Sequence, residues 1–378
     1  MSQPQTPAPH VMGSETEFGI VAVNDPEASP IHTSTQAVIA YAEASGQGVN
    51  RRTRWDYESE SPLRDSRGFD LRRYRSGAAP VLDPNAVGAA NVITEAGARF
   101  YVDHAHPEYS SPEVTSAWDA VVWDQAGDRV MHAAAVASGK IDGQPELKIY
   151  KNNVDGKGAS YGAHENYLYP RHVEVERVHE ALIPHFVTRQ VFTGAGRVGL
   201  GVAGETPGFQ VSQRADYIET EISLETTLNR GIVNTRDEPH ATADQWRRLH
   251  VIIGDANLSQ YATYLKFGTT ALVLSAVAAG ADFADLQLIE PVEDVKRVSR
   301  DLDCTAQLAL YGSTRMTAMD IQREIRRRVI DALEPIGALT DDDRNVLQVW
   351  EDILNDLASD PLSLSLIHIS EPTRRTPI

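Results

Sequence analysis

Polar and apolar residues alternate from Gly13 to Val23, the pattern of a half-buried strand. The two-residue period sets Glu15 and Glu17 on one face, with Thr16, Phe18 and Ile20 on the other. A second strand is predicted from Arg99 to Asp103, where Tyr101 and Asp103 share a face. Leu147 to Val154, Phe186 to Thr193 and Phe209 to Leu224 read as further extended segments. Helices are predicted from Ser34 to Ala44, with Ser34 as N-cap, and from Ala120 to Ala137. Thr242 to Gly280 reads as one long helix or two, with a capping-box start at Thr242 and Gln245 and a stop at Gly280. Apolar residues recur at three-to-four spacing over Thr317–Leu333 and Asp341–Leu357, so both should be amphipathic helices. Residues 1–11 read as a mobile tail. Residues 72–85, rich in Arg, Gly, Ala and Pro without periodicity, read as a mobile loop. There is no internal repeat. The sum is an α+β fold: an antiparallel or mixed sheet with helices covering one face.

Composition narrows the function classes. The chain has 378 residues, 42% hydrophobic and 23% charged, which suits a globular protein of one large domain or two ordinary ones. No apolar run approaches the roughly 18 residues of a membrane span. The formal charge of −18 argues against a nucleic-acid footprint, which needs basic surface. Acidic groups gathered in a pocket would instead call for cations or a metal-chelated nucleotide. The first ten residues lack the basic start and apolar stretch of a signal peptide. The one cysteine, Cys304, excludes an intramolecular disulfide framework and suits a reducing cytoplasm.

Four groups of residues carry candidate chemistry. Glu15-Thr16-Glu17 puts two carboxylates on one strand face, an oxygen-ligand arrangement that Mg²⁺ favours, although a polar strand face alone also explains it. The Tyr101–Tyr109 segment joins a strand-borne Asp103 to a loop carrying His104, His106 and Glu108. Asp103 can serve there as nucleophile or general base, and Glu108 as a metal ligand. Lys151–Asn166 places three glycines and two lysines before His164-Glu165-Asn166. Glycine backbone can approach phosphate closely, His164 can bind metal, and Asn166 can hydrogen-bond nucleotide. It is no Walker loop, because Gly-x-x-x-x-Gly-Lys-Ser/Thr is absent. Asn234–His240 offers the planar fork of Arg236 for phosphate or carboxylate, and His240 for metal or phosphate. There is no Gly-x-Ser-x-Gly elbow, no His-Glu-x-x-His and no paired-cysteine zinc signature.

Together these pieces resemble the carboxylate–amine ligase superfamily of glutamine synthetase. Within it they resemble the Pup ligase/deamidase family, which acts on the prokaryotic ubiquitin-like protein Pup. The resembling stretches are Met12–Gly19, Arg54–Glu58, Gly68–Leu71, Tyr101–Pro112, Lys151–Leu168, Gly194–Gly199, Phe209–Thr227 and Asn234–His250. The resemblance implies a glutamine synthetase-like catalytic domain over residues 12–360. Its curved, mainly antiparallel sheet would hold ATP and Mg²⁺ on the concave face and helices on the outer face. Glu15, Tyr101, Glu108, His164 and His240 match metal positions. Glu15, Thr16, Glu17, Phe18, Gly19, Ser110, Ser111, Asn166 and Arg236 match nucleotide positions, and Asp103 matches the catalytic aspartate. The loop at 72–85 matches the hydrolytic branch. That branch converts the C-terminal glutamine of Pup to glutamate and cleaves Pup–lysine isopeptide bonds, with ATP bound rather than consumed. Alternatives are the sister ATP-dependent Pup–protein ligase, or a shortened Pup- and ATP-binding protein with little activity. Implied partners are Pup and pupylated proteins, with the proteasomal ATPase ring as a further candidate, and neither nucleic acid nor membrane.

The C-terminus reads differently. Leu364–Arg374 resembles the translation of a sequencing adapter, so natural sequence is expected to end near Asp360, with residues 361–378 a non-native tail. A smaller C-terminal domain of the family is expected to be missing.

Overall fold

A computed structural model describes residues 10–47, 64–68 and 88–361. The expected loop at 72–85, the Arg54–Glu58 stretch, Phe69–Leu71 and the tail beyond residue 361 lie outside the described residues, as do residues 1–9.

Helices and strands interleave along the chain. The first part holds β1 (Met12–Glu17), β2 (Gly19–Ala22), α1 (Pro30–Ala44), β3 (Asn91–Ile93), β4 (Arg99–Asp103), β5 (His106–Ser110) and α2 (Ala117–Ser138). Next come β6 (Leu147–Tyr150), β7 (Ala163–Pro170), α3 (Val175–Thr193), β8 (Arg197–Leu200), β9 (Thr206–Gln210), β10 (Thr220–Ser223), β11 (Gly231–Asn234) and β12 (Trp246–Val251). The chain continues through α4 (Gln260–Ala278), α5 (Pro291–Arg300), β13 (Leu308–Ala309), β14 (Arg315–Met316), α6 (Ala318–Leu333) and α7 (Asp341–Ser359).

Eight strands form one sheet in the order β10-β11-β12-β7-β1-β5-β4-β3. Every pairing is antiparallel except β10 with β11. The α+β class expected from the sequence is the class observed. On one face Tyr167 and Tyr169 of β7, and Leu249 and Val251 of β12, join a core with α3, α4, α6 and α7. A smaller core packs α1 and α2 against β2, β4 and β6 through Phe18, Val38, Phe100, Met131 and Leu147. The opposite sheet face is polar, and the site forms there.

Several predicted elements fall where the pattern put them. β4 keeps its predicted bounds, and α6 and α7 begin behind Thr317 and Thr340, each the first residue of a complete capping box. Other expectations need correction. The 13–23 strand is two: β1 belongs to the large sheet, and β2 leaves it to pair with β6. The first helix starts at Pro30 behind Ser29, not behind Ser34, because proline's fixed φ suits the first helical turn. Phe186 to Thr193 is the second half of α3, where every residue from Ala181 onward is buried. A helix buried all round loses its amphipathic period and imitates a buried strand. Trp246–Val251 is a strand because six consecutive residues pair with β7; the helix beyond starts only at Gln260, capped by Ser259.

Candidate active site

Strand register builds the site. Glu15 pairs with Ser110 on one side and His164 on the other. One step along, Glu17 pairs with Glu108, which pairs with Tyr101. Asp103 pairs with His106 across the β4–β5 hairpin. At the other end of β1, Gly13 pairs with Asn166, which pairs with His250, which pairs with Asn234. The period of two places all these residues on one face of five neighbouring strands and β11.

The acidic half is crowded. Glu17, Asp103 and Glu108 bring carboxylate oxygens within 4.8 Å of one another. Burial, with Glu15, Asp103 and Glu17 nearby, pushes the Glu108 carboxyl well above its usual range. Burial likewise raises the Tyr101 hydroxyl, with Glu108 and Glu15 adding to the effect. Ser110 Oγ donates to Tyr101 Oη at 3.2 Å. Burial opposes the charge on Glu17, but hydrogen bonds from His106 and the Gly162 N–H, with the nearby charge of His164, lower its carboxyl to about 2. Asp103 stays accessible, its side chain 42% exposed and bonded to His104 Nδ1 at 3.0 Å.

A second cluster lies beside the first. Glu15, His164 and His250 place ligand atoms within 4.8 Å of one another, and His164 Nδ1 lies 3.4 Å from Glu15 Oε2. Burial opposes ionisation of Glu15, yet His164, His250 and Arg248 hold its carboxyl far below the ordinary range. Burial pushes His250 well below the usual imidazole range, and Arg248 and His164 add to this. The fit at Gly162 is tight: a Cβ there would lie 2.5 Å from His164 Nε2.

Arg236 and Arg248 flank this end. Arg248 is held by the Glu238 carbonyl at 2.7 Å and carboxylate at 3.2 Å. Arg236 reaches Thr226 Oγ1 at 3.4 Å, and its buried Nε has no hydrogen-bond partner. Burial lowers the Arg236 guanidinium, Glu238 counteracts this, and Arg248 repels it. The donor set therefore fits a nucleotide–metal pair. Clustered carboxylates with mutual repulsion fit a hard divalent cation, and two neighbouring guanidiniums fit phosphate oxygens.

The remaining sequence candidates lie at different distances from this centre. Thr16 is buried on the opposite face of β1, and Phe18, just beyond it, is buried in the smaller core. A Cβ on Gly19 would lie 2.9 Å from Asn152 Oδ1, so that side chain packs directly against the Gly19 backbone. Ser111 staples β1 by accepting from the Ser14 N–H at 2.9 Å and donating to the Pro112 carbonyl. His240 is exposed in the turn before β12 and is not in either cluster, whereas His250 is. Sequence reasoning did not single out Arg248 and His250. Their signal was present as polar–apolar alternation through Arg248-Leu249-His250-Val251, masked by reading the segment as helix.

The site is thus a strongly polar sheet face carrying carboxylates, histidines and arginines, backed on its other face by helices. The chain belongs to the Pup-ligase protein family, whose model matches residues 10–368. It is 55% identical over 360 residues to the Pup deamidase/depupylase of Mycolicibacterium smegmatis, covering 94% of this chain and 71% of that one. Its fold is similar to the crystal structure of the complex between Pup and its ligase PafA, with a TM-score of 0.73 and 28% identity. That match covers 96% of this chain and 67% of the ligase. It is also similar to the Pup ligase PafA in complex with ADP, with a TM-score of 0.63 and 30% identity, covering 77% of this chain and 68% of that one. No described helix is long and apolar enough to cross a membrane.

Proposed function

We propose that this chain is a Pup deamidase and depupylase. It hydrolyses the side-chain amide of Pup's C-terminal glutamine, and the isopeptide bond joining Pup to a substrate lysine. The observation that carries the reading is the placement of accessible Asp103 beside Glu17 and Glu108, in a chain 55% identical over 360 residues to a Pup deamidase/depupylase and 39% identical over 268 residues to a Pup–protein ligase. Pup and pupylated proteins are the partners this activity requires, and the reducing cytoplasm is the compartment.

ATP and Mg²⁺ are the proposed cofactors. Glu15, His164 and His250 in one cluster, and Glu17 and Glu108 with Tyr101 beside them in the other, would hold divalent cations, and Arg236 and Arg248 the phosphates. Bound Mg²⁺ would supply fixed positive charge near the developing oxyanion, offsetting the charge of the ATP phosphates. Asp103 acts on the amide carbonyl, either by direct attack or by taking a proton from the attacking water. Its exposure leaves it open to a peptide tail. His106, tethered to Glu17 at 2.9 Å, fixes the hairpin from which Asp103 projects. Net reaction adds water across the C–N bond and releases ammonia or the lysine amine.

Incubation with glutamine-ended Pup, ATP and Mg²⁺ tests the reading. Ammonia release without net ATP loss is expected. Conjugation of Pup to lysine with ATP consumption would replace it with the ligase assignment.

A further inference from the structure

Asn166 accepts two hydrogen bonds on one atom. Arg248 Nη1 lies 2.8 Å from Asn166 Oδ1, and His250 Nδ1 lies 2.9 Å from the same oxygen. Guanidinium has only donors, so the amide atom facing Arg248 is the oxygen and not the nitrogen. An amide oxygen only accepts, so the proton of that second contact sits on His250 Nδ1. A neutral imidazole protonated at Nδ1 offers its electron pair at Nε2.

We infer that Asn166 is a positioning residue for His250, fixing the imidazole tautomer that presents Nε2 to a divalent cation shared with Glu15 and His164. The inference rests on the reading of this face as a cation site. Metal-binding histidines commonly donate their second N–H to a carbonyl or carboxylate, and losing that partner weakens metal binding by roughly 10–100-fold. Asn166 and His250 are direct partners across the β7–β12 pairing, so the contact is built into strand register. The His250 ring stands edge-on to His164 at 4.9 Å, which limits its rotation. Arg248 keeps two contacts to Glu238, at 2.7 and 3.2 Å, so loss of Asn166 does not release it. With its oxygen committed inward, Asn166 has only its NH₂ left for a nucleotide.

The test uses Mn²⁺ alone, without nucleotide, titrated by calorimetry into the full chain and two variants. Asn166→Ala is expected to weaken Mn²⁺ binding by roughly 10–100-fold. Asn166→Asp, which keeps an acceptor toward Nδ1, is expected to bind within a few-fold of the wild type. Equal Mn²⁺ affinity in Asn166→Ala and wild type overturns the inference and leaves the cation reading intact. Loss of ATP affinity in both variants with unchanged Mn²⁺ affinity also overturns it, in favour of a direct nucleotide contact. Absence of Mn²⁺ binding by the wild type removes the cation reading and the inference together. Long-range nitrogen–proton spectra of the wild type give an answer that needs no variant. A proton on Nδ1 of His250 is expected, and a proton on Nε2 overturns the assignment.

Discussion

His106 Nδ1 lies 2.9 Å from Glu17 Oε2, tying the β4–β5 hairpin to the strand at the centre of the sheet. The Tyr161 ring packs against the imidazole, with centroids 4.6 Å apart and planes tilted by 41°. Because His106 is the cross-strand partner of Asp103, this tether bears on where the Asp103 carboxylate stands. His106→Ala should therefore lower hydrolysis by roughly 10²-fold, the scale of a small misplacement of a reacting group, while ATP affinity changes little. Steady-state ammonia release alongside equilibrium ATP binding checks this. Unchanged turnover would show that the hairpin holds Asp103 without the tether.

Asp103→Asn keeps the shape of the side chain and removes its charge. Amide hydrolysis should fall by roughly 10²–10⁴-fold, the range for loss of a positioned base, and more if the residue is the nucleophile. Nucleotide binding should persist. Hydrolysis at the wild-type rate would take Asp103 out of the reaction.

Gly162→Ala inserts a methyl group 2.5 Å from His164 Nε2 and 3.2 Å from Glu17 Oε1. Either the imidazole turns or the strand start shifts. Divalent-cation affinity should drop by at least tenfold, on the order of losing correct orientation at one ligand. Calorimetric titration of Mn²⁺ measures it, and an unaltered affinity would mean the site relaxes freely.

Arg189 makes a bidentate pair with fully buried Glu165, at 2.6 and 2.9 Å, and Tyr167 Oη donates to the same carboxylate at 2.7 Å. Arg189→Met strands that carboxylate and should cost about 3–5 kcal/mol of folding stability. Adding Glu165→Gln should recover part of the loss. Denaturant unfolding of the single and double variants decides, and a loss below about 1 kcal/mol would contradict the role of the pair.

A pH effect is expected on the outer helix. Hydrogen bonds from Arg327 lower the Glu324 carboxyl to about 2, with burial opposing the shift and Arg328 adding to it. A depressed carboxyl stabilises the fold above its unfolded value of about 4.5, and that contribution disappears as pH falls toward about 2. Glu324→Gln should thus be less stable than wild type at pH 7 and converge on it in acid. Solvent screening keeps the difference modest. Melting temperatures across pH 3–7 test the convergence, and a gap that widens in acid would reverse the sign.

Local periodicity carried the amphipathic parts. β4, with Tyr101 and Asp103 on one face, and α6 and α7 behind their threonine caps were legible because each has one wet side. Elements buried on all sides were not, since α3 has no polar stripe along Ala181–Thr193 to reveal its turn. The pairing of β12 with β7 depends on contacts roughly 80 residues apart, which no local window contains. That is why Arg248 and His250 escaped notice while Glu15, Glu17 and His164 stood out. The Glu165–Arg189 pair was equally hidden, because a charge beneath a sheet reads in sequence like any exposed one.

β7 alternates His164 and Asn166 on the polar face with Glu165 on the buried one. A slip of one residue would exchange the faces, driving Glu165 into the site and both site residues among the helices. The buried ion pair therefore acts as a key that admits one alignment of the strand. On the proposed function, cation and nucleotide would meet their full set of partners only after the long-range sheet has closed in that alignment. Their binding would then add to the stability of the closed state alone, by mass action. Cellular supply of cofactor would in this way govern how long the folded protein lasts as well as how fast it works, and a melting temperature that climbs with Mg²⁺–ATP concentration is its direct signature.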